Sequence, residues 1–442
     1  MRVRTGFRAL VLVLLVLPVA LFASGGGEKK LVLMMQQSPQ GDALKAIVPD
    51  FEKATGIKVE VQSYPYDAQM NNYRMEYNSK SGQWDVMLLS GAWMQEGIKA
   101  KYHVPLNQFD MSSLKKDEIP HFGVIGSADG IPYGVPWFGE FKALFLRSDL
   151  LNDPKEKAAF KAKYGYDLDI PKTEEQYWDQ LKFFHRPDKG LSGTIFYGKR
   201  AVWIQIPFQT MLRARGLAYI NWDTFEPYGS TPGVIQGMKD YKAAFQYAAP
   251  SSLNDDWFTG NALWQSGAAY SISTWSTVLL YSNDPQVSKI AGKVIMTGYP
   301  TKLAKVEGLL VQDLLSVAST SKNKEAAWKF ITFAAAKENM VKAVLQAPLG
   351  HVPMNYAAMV DPEANKKLPL AKMADMLKGY SRVLSSEPPL AEGTHIDLEV
   401  LTKYLSLYIN GDLTAEQAGK QLDDEINKIL VDGKYPTPWL KK

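Results

Sequence analysis

The chain has 442 residues, 46% of them apolar and 22% charged, a length that exceeds one ordinary core and a balance typical of a globular protein. Its net charge is +4, and Arg2, Arg4 and Arg8 supply three of those charges, so the remainder carries only +1 and lacks the basic footprint of a nucleic-acid binder. Cysteine is absent, which excludes disulfides and a lipid-tethered lipoprotein cysteine; a large core does not need such staples.

The first 23 residues read as a secretory leader. A positive flank precedes the apolar run Ala9–Phe22, and the small residues Ala23, Ser24 and Gly25 follow it. The run is shorter than the roughly 20 residues that span a bilayer. Cleavage after Ala23 or Gly25 fits, so a periplasmic or secreted address is expected. Residues 24–30 (SGGGEKK) form a polar, flexible lead-in, and their glycines precede the first strand, where no phosphate loop belongs.

Leu31–Met35 predicts a buried strand. Asp42 can cap the helix whose stripe is Leu44, Ile47, Val48 and Phe51, and Gly56 ends it. Ile57, Val59 and Val61 alternate with polar residues as a half-wet strand, and Asp85–Leu89 is another buried strand, with Asp85 in a structural role. Strand, helix and strand in this order predict a parallel unit of an α/β fold. Further along, Ile131–Pro136 reads as a turn, Lys142–Arg147 as a strand and Glu174–Phe184 as a helix. Val234–Ala248 reads as a helix and Lys324–Leu345 as one long amphipathic helix. Leu398, Leu401, Leu405 and Tyr408 stripe a helix ended by Gly411. Thr414 and Gln417 have the spacing of a capping box for the last helix.

Eight blocks stand in a specific order: FEKATGIKVEV (51–61), WDVMLLSGAW (84–93) with HVPLNQF (103–109), DGIPYGVPWFGEFKALFLRSDLL (129–151), PKTEEQYWDQL (171–181), TGNALWQSGAAYSISTW (259–275), STSKNKEAAWKFITFAAAKENM (319–340), PLGHVPMN (348–355) and NGDLTAEQA (410–418). Their order and spacing resemble the family 1 extracellular solute-binding proteins of ABC transporters, the group that includes maltose-binding protein. The resemblance covers about residues 31–430. It implies two discontinuous α/β lobes, 30–138 with 298–348 and 139–297 with 349–442, each with a central sheet flanked by helices. The lobes would hinge around a ligand cleft in the type II periplasmic arrangement and close on solute. The implied function is to capture a carbohydrate, as a mono- or oligosaccharide or a sugar alcohol, and deliver it to the permease subunits in the membrane. A monomer without cofactor or metal is expected.

A sugar needs aromatic rings for its C–H faces and convergent polar groups for its hydroxyls, and the chain has 11 Trp and 22 Tyr to draw on. Trp275, just past a strand and among Ser273, Thr274 and Ser276, stands near where the family puts a stacking Trp, in a loop one residue shorter than usual. Glu140 precedes Asp149 by the nine residues that separate the family's cleft carboxylate from its Asp-Leu-Leu. It reads as that carboxylate or as a surface acid. Trp137, beside Phe138, reads as a cleft ring or as hinge packing. Trp93 follows a strand end in the loop Ser90–Trp93, the sheet edge where open α/β folds hold ligands, although the family's nearby Asp is missing. Gln37, with Gln36 and Ser38, follows the first strand at that edge. His351 lies on the second crossing, as a hydroxyl donor or a partner for a hinge carbonyl, and Trp203 with Gln205 completes the set. Leu398 replaces another stacking Trp of maltose-binding protein, which argues against assuming maltose. Trp264 and Trp328 read as core.

Other chemistries lack support. The 5 His residues are scattered, and no His-Glu-x-x-His, Gly-x-Ser-x-Gly or ATP-binding Gly-x-x-x-x-Gly-Lys-Ser/Thr motif occurs. No acidic cage for a polyamine and no Arg cluster for a phosphate ester is visible around the candidates. A secreted carbohydrate-active enzyme and a sensory binding protein are the alternatives, and turnover of the sugar separates the first from a transport component.

Overall fold

The computed structural model describes residues 30–199, 203–347 and 351–441. The leader and most of the lead-in lie outside them. Eleven strands are present among these residues: β1 (Lys30–Gln36), β2 (Lys58–Tyr64), β3 (Val86–Ser90), β4 (Ser127–Ala128), β5 (Ile131–Pro132), β6 (Val135–Arg147), β7 (Ser192–Ile195), β8 (Ala269–Trp275), β9 (Val294–Thr297), β10 (Glu307–Val317) and β11 (Arg382–Ser385). Nine of them join one curled sheet with the path β2-β1-β3-β10-β6-β8-β7, to which β11 adds on β10 and β9 on β6. With the many helices packed around it, this is the mixed α/β class expected.

Hydrophobic pattern explains the order. Leu31, Leu33, Met34 and Met35 are enclosed because β1 pairs in parallel with both β2 and β3. The helix Pro39–Thr55 returns the chain from β1 to β2 and buries Leu44, Ile47, Val48 and Phe51. Gly56, at φ 70°, closes it in the left-handed region that favours glycine. Its N-cap is Ser38 rather than Asp42: the Ser38 hydroxyl accepts the Gly41 N–H, Pro39 occupies the first turn, and Asp42 stands inside it. Asp85 is structural as expected, its carboxylate accepting from Val32 N–H, Ser321 Oγ and Asn323 Nδ2.

Two long strands tie the sheet together. β6 runs 13 residues, beginning at Val135 rather than Lys142, so the expected turn over Ile131–Pro136 is the exit of the small β4–β5 hairpin. Its first half pairs with β10, from Val135 opposite Leu315 to Phe141 opposite Leu310. Its second half pairs with β8 and, on the other edge, with β9. Asp313 faces Phe138 while Leu314 faces Pro136, so Trp137 is the extra residue of a β-bulge.

The amphipathic run from Lys324 is two helices, Lys324–Ala335 and Lys337–Gln346, because Ala336 turns extended at ψ 140° between them. The helix from Pro232 ends at Ala244 and tightens into a 3₁₀ turn through Tyr247. The Leu398 stripe lies on a helix that opens as a π-turn over Ile396–Leu401, continues as Thr402–Asn410 and ends at Gly411. The Thr414–Gln417 capping box is formed. Trp264 and Trp328 are core, the second stacked 4.9 Å from Phe109.

Candidate functional site

The centre of the molecule is built on one face of β6. Residues two apart on a strand share a face, so Phe138, Glu140 and Lys142 point the same way. Asp313 of β10 stands opposite Phe138, and Trp275 of β8 opposite Lys142. Lys142 Nζ lies 5.2 Å from the centre of the Trp275 ring and donates to Gln205 Oε1 at 2.9 Å. Glu140 is half-buried and accepts from Thr277 Oγ1 at 2.5 Å. Asp313 accepts from Gln40 Nε2 at 3.1 Å, which brings the turn after β1 to this face.

Two further carboxylates converge from the C-terminal part of the chain. Glu387, just beyond β11, is buried and accepts from Ser386 Oγ at 2.6 Å. Asp397, in the π-turn, is fully buried, and its Oδ1 accepts from Gln209 Nε2 at 2.5 Å and from Tyr219 OH at 2.8 Å. Asp397 Oδ2 and Gln209 Oε1 are enclosed and have no hydrogen-bond partner among the described residues.

The electrostatics follow from burial without pairing. Among the described residues, none of Glu140, Lys142, Asp313, Glu387 and Asp397 forms an ion pair within 4.0 Å. Burial pushes the Glu140 carboxyl up to about 7, and the nearby Asp313 adds to that rise. Burial, with a contribution from Glu387, pushes Asp313 up to about 6. Asp397 is raised to about 7 by burial, against the pull of Lys142, and Glu387 is raised by burial too. Burial pulls the Lys142 ammonium down to about 8, while Asp397 and Glu387 oppose the fall. Unpaired charges are costly inside a protein, so this group is poised to receive polar partners from outside the chain.

The seven candidates from the sequence fall into five places. Glu140 and Trp275 join the central face, although Trp275 is only 6% exposed and rests beneath Lys142. Trp137 and His351 pack on each other 4.4 Å apart, both at 0% exposure. The Trp137 indole donates to Gln40 O at 3.1 Å, so the ring ties β6 to the helix Pro39–Thr55, and the His351 ring nitrogens meet no partner among the described residues. Trp93 stands on the helix Gly91–Lys99, which starts directly after β3 without the expected loop, and it is buried edge-on to Tyr66 at 4.9 Å. Gln37 is exposed at the end of β1, its backbone N–H bonded to Tyr64 O. Trp203 is partly buried 6.2 Å from Trp257, at the start of the helix Gln205–Ala214.

Sequence reasoning missed Lys142, Asp313, Glu387, Asp397 and Gln209. It also saw no acidic cage, and the fold assembles one from four separate segments. The one signal that existed was period: Lys142 follows Glu140 by two residues within an otherwise apolar stretch of β6, whereas Asp313 stands directly after Gln312 in β10 and shows no such period. A cavity of about 260 Å³ opens beside Lys142, lined by Thr210, Arg213, Tyr299, Glu307 and Tyr380 among others. It fills the fork where the edge of β6 leaves β10 after Phe141 and takes up β9 from Leu144. None of the seven candidates lines it.

Comparison with known proteins agrees with this architecture. The family model for bacterial extracellular solute-binding proteins matches residues 36–341. A probable amino-acid ABC transporter periplasmic-binding protein of Sinorhizobium fredii is 21% identical over 88% of this chain and 86% of its own. An ABC transporter solute-binding protein of Agrobacterium radiobacter in complex with ribitol superimposes with a TM-score of 0.76 at 21% identity, covering 91% of this chain and 98% of its own. A maltose-bound protein of T. maritima gives 0.75 at 21% identity over 91% and 100%. Both show the likeness of fold.

Proposed function

We propose that this chain, which belongs to the bacterial extracellular solute-binding proteins, serves an ABC transporter and that its solute is a carbohydrate or sugar alcohol, held between two lobes at the crossing strands and passed on unchanged. The observation that carries this reading is the central face. Among the described residues, Glu140, Lys142, Asp313, Glu387 and Asp397 stand there without ion pairs, beside the Trp275 ring. Hydroxyl-rich solutes supply many donors and acceptors and an apolar C–H face, which is the complement of such a surface. Relatives of the same fold were solved with ribitol, D-mannitol and maltose, which supports the class without choosing a member.

We assign one lobe to 30–138 and 298–348 and the other to 139–297 and 349–442. On this assignment Glu140 and Lys142 follow the first crossing, and Asp313 lies on the returning strand. Lys99 and Glu392, paired at 2.9 Å, then bridge the lobes. The first 23 residues act as a cleaved leader that sends the chain to the outer side of the cytoplasmic membrane. Among the described residues no helix is long and apolar enough to cross a membrane. A melting-temperature screen against sugars and polyols tests the reading, since a solute that binds only the folded state raises the melting temperature. Sugars and polyols without effect, alongside a clear shift from another solute class, would refute it.

A further inference from the structure

We infer that the cavity beside Lys142 receives the carboxylate of an acidic solute, as a sugar acid carries. The inference rests on the carbohydrate reading above and narrows it. Lys142 belongs to both places: it stands over the Trp275 ring on the central face and lines the cavity of about 260 Å³. The other walls come from the helix Gln205–Ala214, which brings Arg213, from the chain between β9 and β10 with Tyr299, and from Glu307 at the start of β10. Tyr380, beyond the helix Leu370–Gly379, packs on Gly308, where a Cβ would stand 2.4 Å from its ring.

Donors outnumber acceptors among these side chains. Lys142, 5% exposed, gives one N–H to Gln205 Oε1 and has no ion pair among the described residues. An ammonium carries three N–H groups. Arg213 bonds to Glu307 through Nη1 at 2.8 Å and lies over the Trp222 ring, while its enclosed Nη2 has no hydrogen-bond partner among the described residues. The hydroxyls of Tyr299 and Tyr380 form no hydrogen bond there either. The cavity's one carboxylate, Glu307, is already engaged, with Oε2 on Arg213 and Oε1 3.7 Å from Arg382. What this wall lacks is an acceptor.

Charge and size narrow the choice. Two cations and one acid line the cavity, an excess of one positive charge, which suits a carboxylate better than a doubly charged phosphate. Glu387 and Asp397 act on Lys142 from the central face, but neither lines the cavity, and burial holds both toward their neutral forms. The volume lies just below the roughly 300 Å³ at which pockets for larger ligands begin, so it takes one group or ring. Val306, Leu309 and Met376 supply an apolar wall for its C–H groups. Because Nη2 is enclosed, seating a carboxylate oxygen against it takes a small turn of the guanidinium, whose planar fork then meets the oxyanion.

The test is calorimetry on the full mature chain at neutral pH and low salt, with matched pairs that differ by the acid: glucuronate against glucose, galacturonate against galactose and gluconate against sorbitol. Lactate serves as a hydroxy acid that is not a sugar. The acid of at least one pair is expected to bind about tenfold or more tightly than its neutral partner. Lys142→Met, checked for native melting, should bring that ratio toward one, and Glu307→Gln, which removes the competing acid, should enlarge it. Neutral members that bind as well as their acids overturn the inference and leave the carbohydrate reading standing. A preference for the acid that neither substitution moves also overturns it, because the carboxylate then sits elsewhere. Binding of lactate alone overturns the carbohydrate reading and keeps the carboxylate. If no probe binds, the inference falls, and the polyol screen decides the carbohydrate reading separately.

Discussion

Asp313→Asn should stabilise the solute-free protein at neutral pH, against the usual cost of altering a buried polar residue. Asp313 is only 8% exposed and bonds to Gln40. Burial, with Glu387 nearby, lifts its carboxyl from 3.8 to about 6 in the folded state. A carboxyl raised by folding stabilises fully below its unfolded value, and that contribution is lost as pH rises through the folded one. Each tenfold change in proton affinity is worth about 1.4 kcal/mol, so the ionised carboxylate costs the folded state about 3 kcal/mol above pH ~7. The amide keeps the shape and the bond to Gln40 and removes the charge. Urea melts of both proteins from pH 4 to pH 8 are the assay. The variant should gain on the parent as pH rises from near 4 to near 7 and then hold a plateau of up to about 3 kcal/mol. A variant that is less stable by the same amount at every pH would refute the reasoning, because Asp313 would then carry no unneutralised charge.

Trp275→Ala should weaken binding of the cognate solute by about 1–3 kcal/mol in calorimetry, since it removes both a ring and the support under Lys142; unchanged affinity would take Trp275 out of the site. Asp85→Ala should lower stability by about 3 kcal/mol in urea melts while leaving affinity intact, because it strands the Val32 N–H and the Ser321 hydroxyl beneath β1. Lys99→Met removes a half-exposed pair with Glu392, so affinity should fall by less than about fivefold and recover little with added salt. Expression of the whole chain in a bacterium should yield exported protein whose N-terminal sequencing begins at Ser24 or Gly26; an intact Met1 on the exported protein would count against a cleaved leader.

The elements were legible where one residue pattern decided them. The buried run of β1, the stripe of the following helix with Gly56 behind it, and the Thr414–Gln417 box all depend on neighbours in sequence. Boundaries slipped where a competing local choice won. Ser38 precedes a proline and so caps one turn before Asp42, and Ala336 breaks a stripe whose apolar period runs on unchanged.

The site was only half legible. Glu140 and Trp275 could be placed by resemblance, and both reach the central face. Asp313, Glu387 and Asp397 arrive from three distant segments, and their nearness depends on β10 running antiparallel to β6 and on the π-turn that carries Asp397 inward. No periodicity in one segment encodes such a meeting. Trp137 and His351 drew attention as an aromatic and a polar residue on the expected crossings, but a bulge turns the first inward onto the second.

Small-angle X-ray scattering on the mature protein, with and without the solute that raises its melting temperature most, measures the central claim directly. Two lobes closing on that solute should shrink the radius of gyration while the solute is recovered chemically intact. An unchanged radius at saturation, or a solute returned as product, would contradict it.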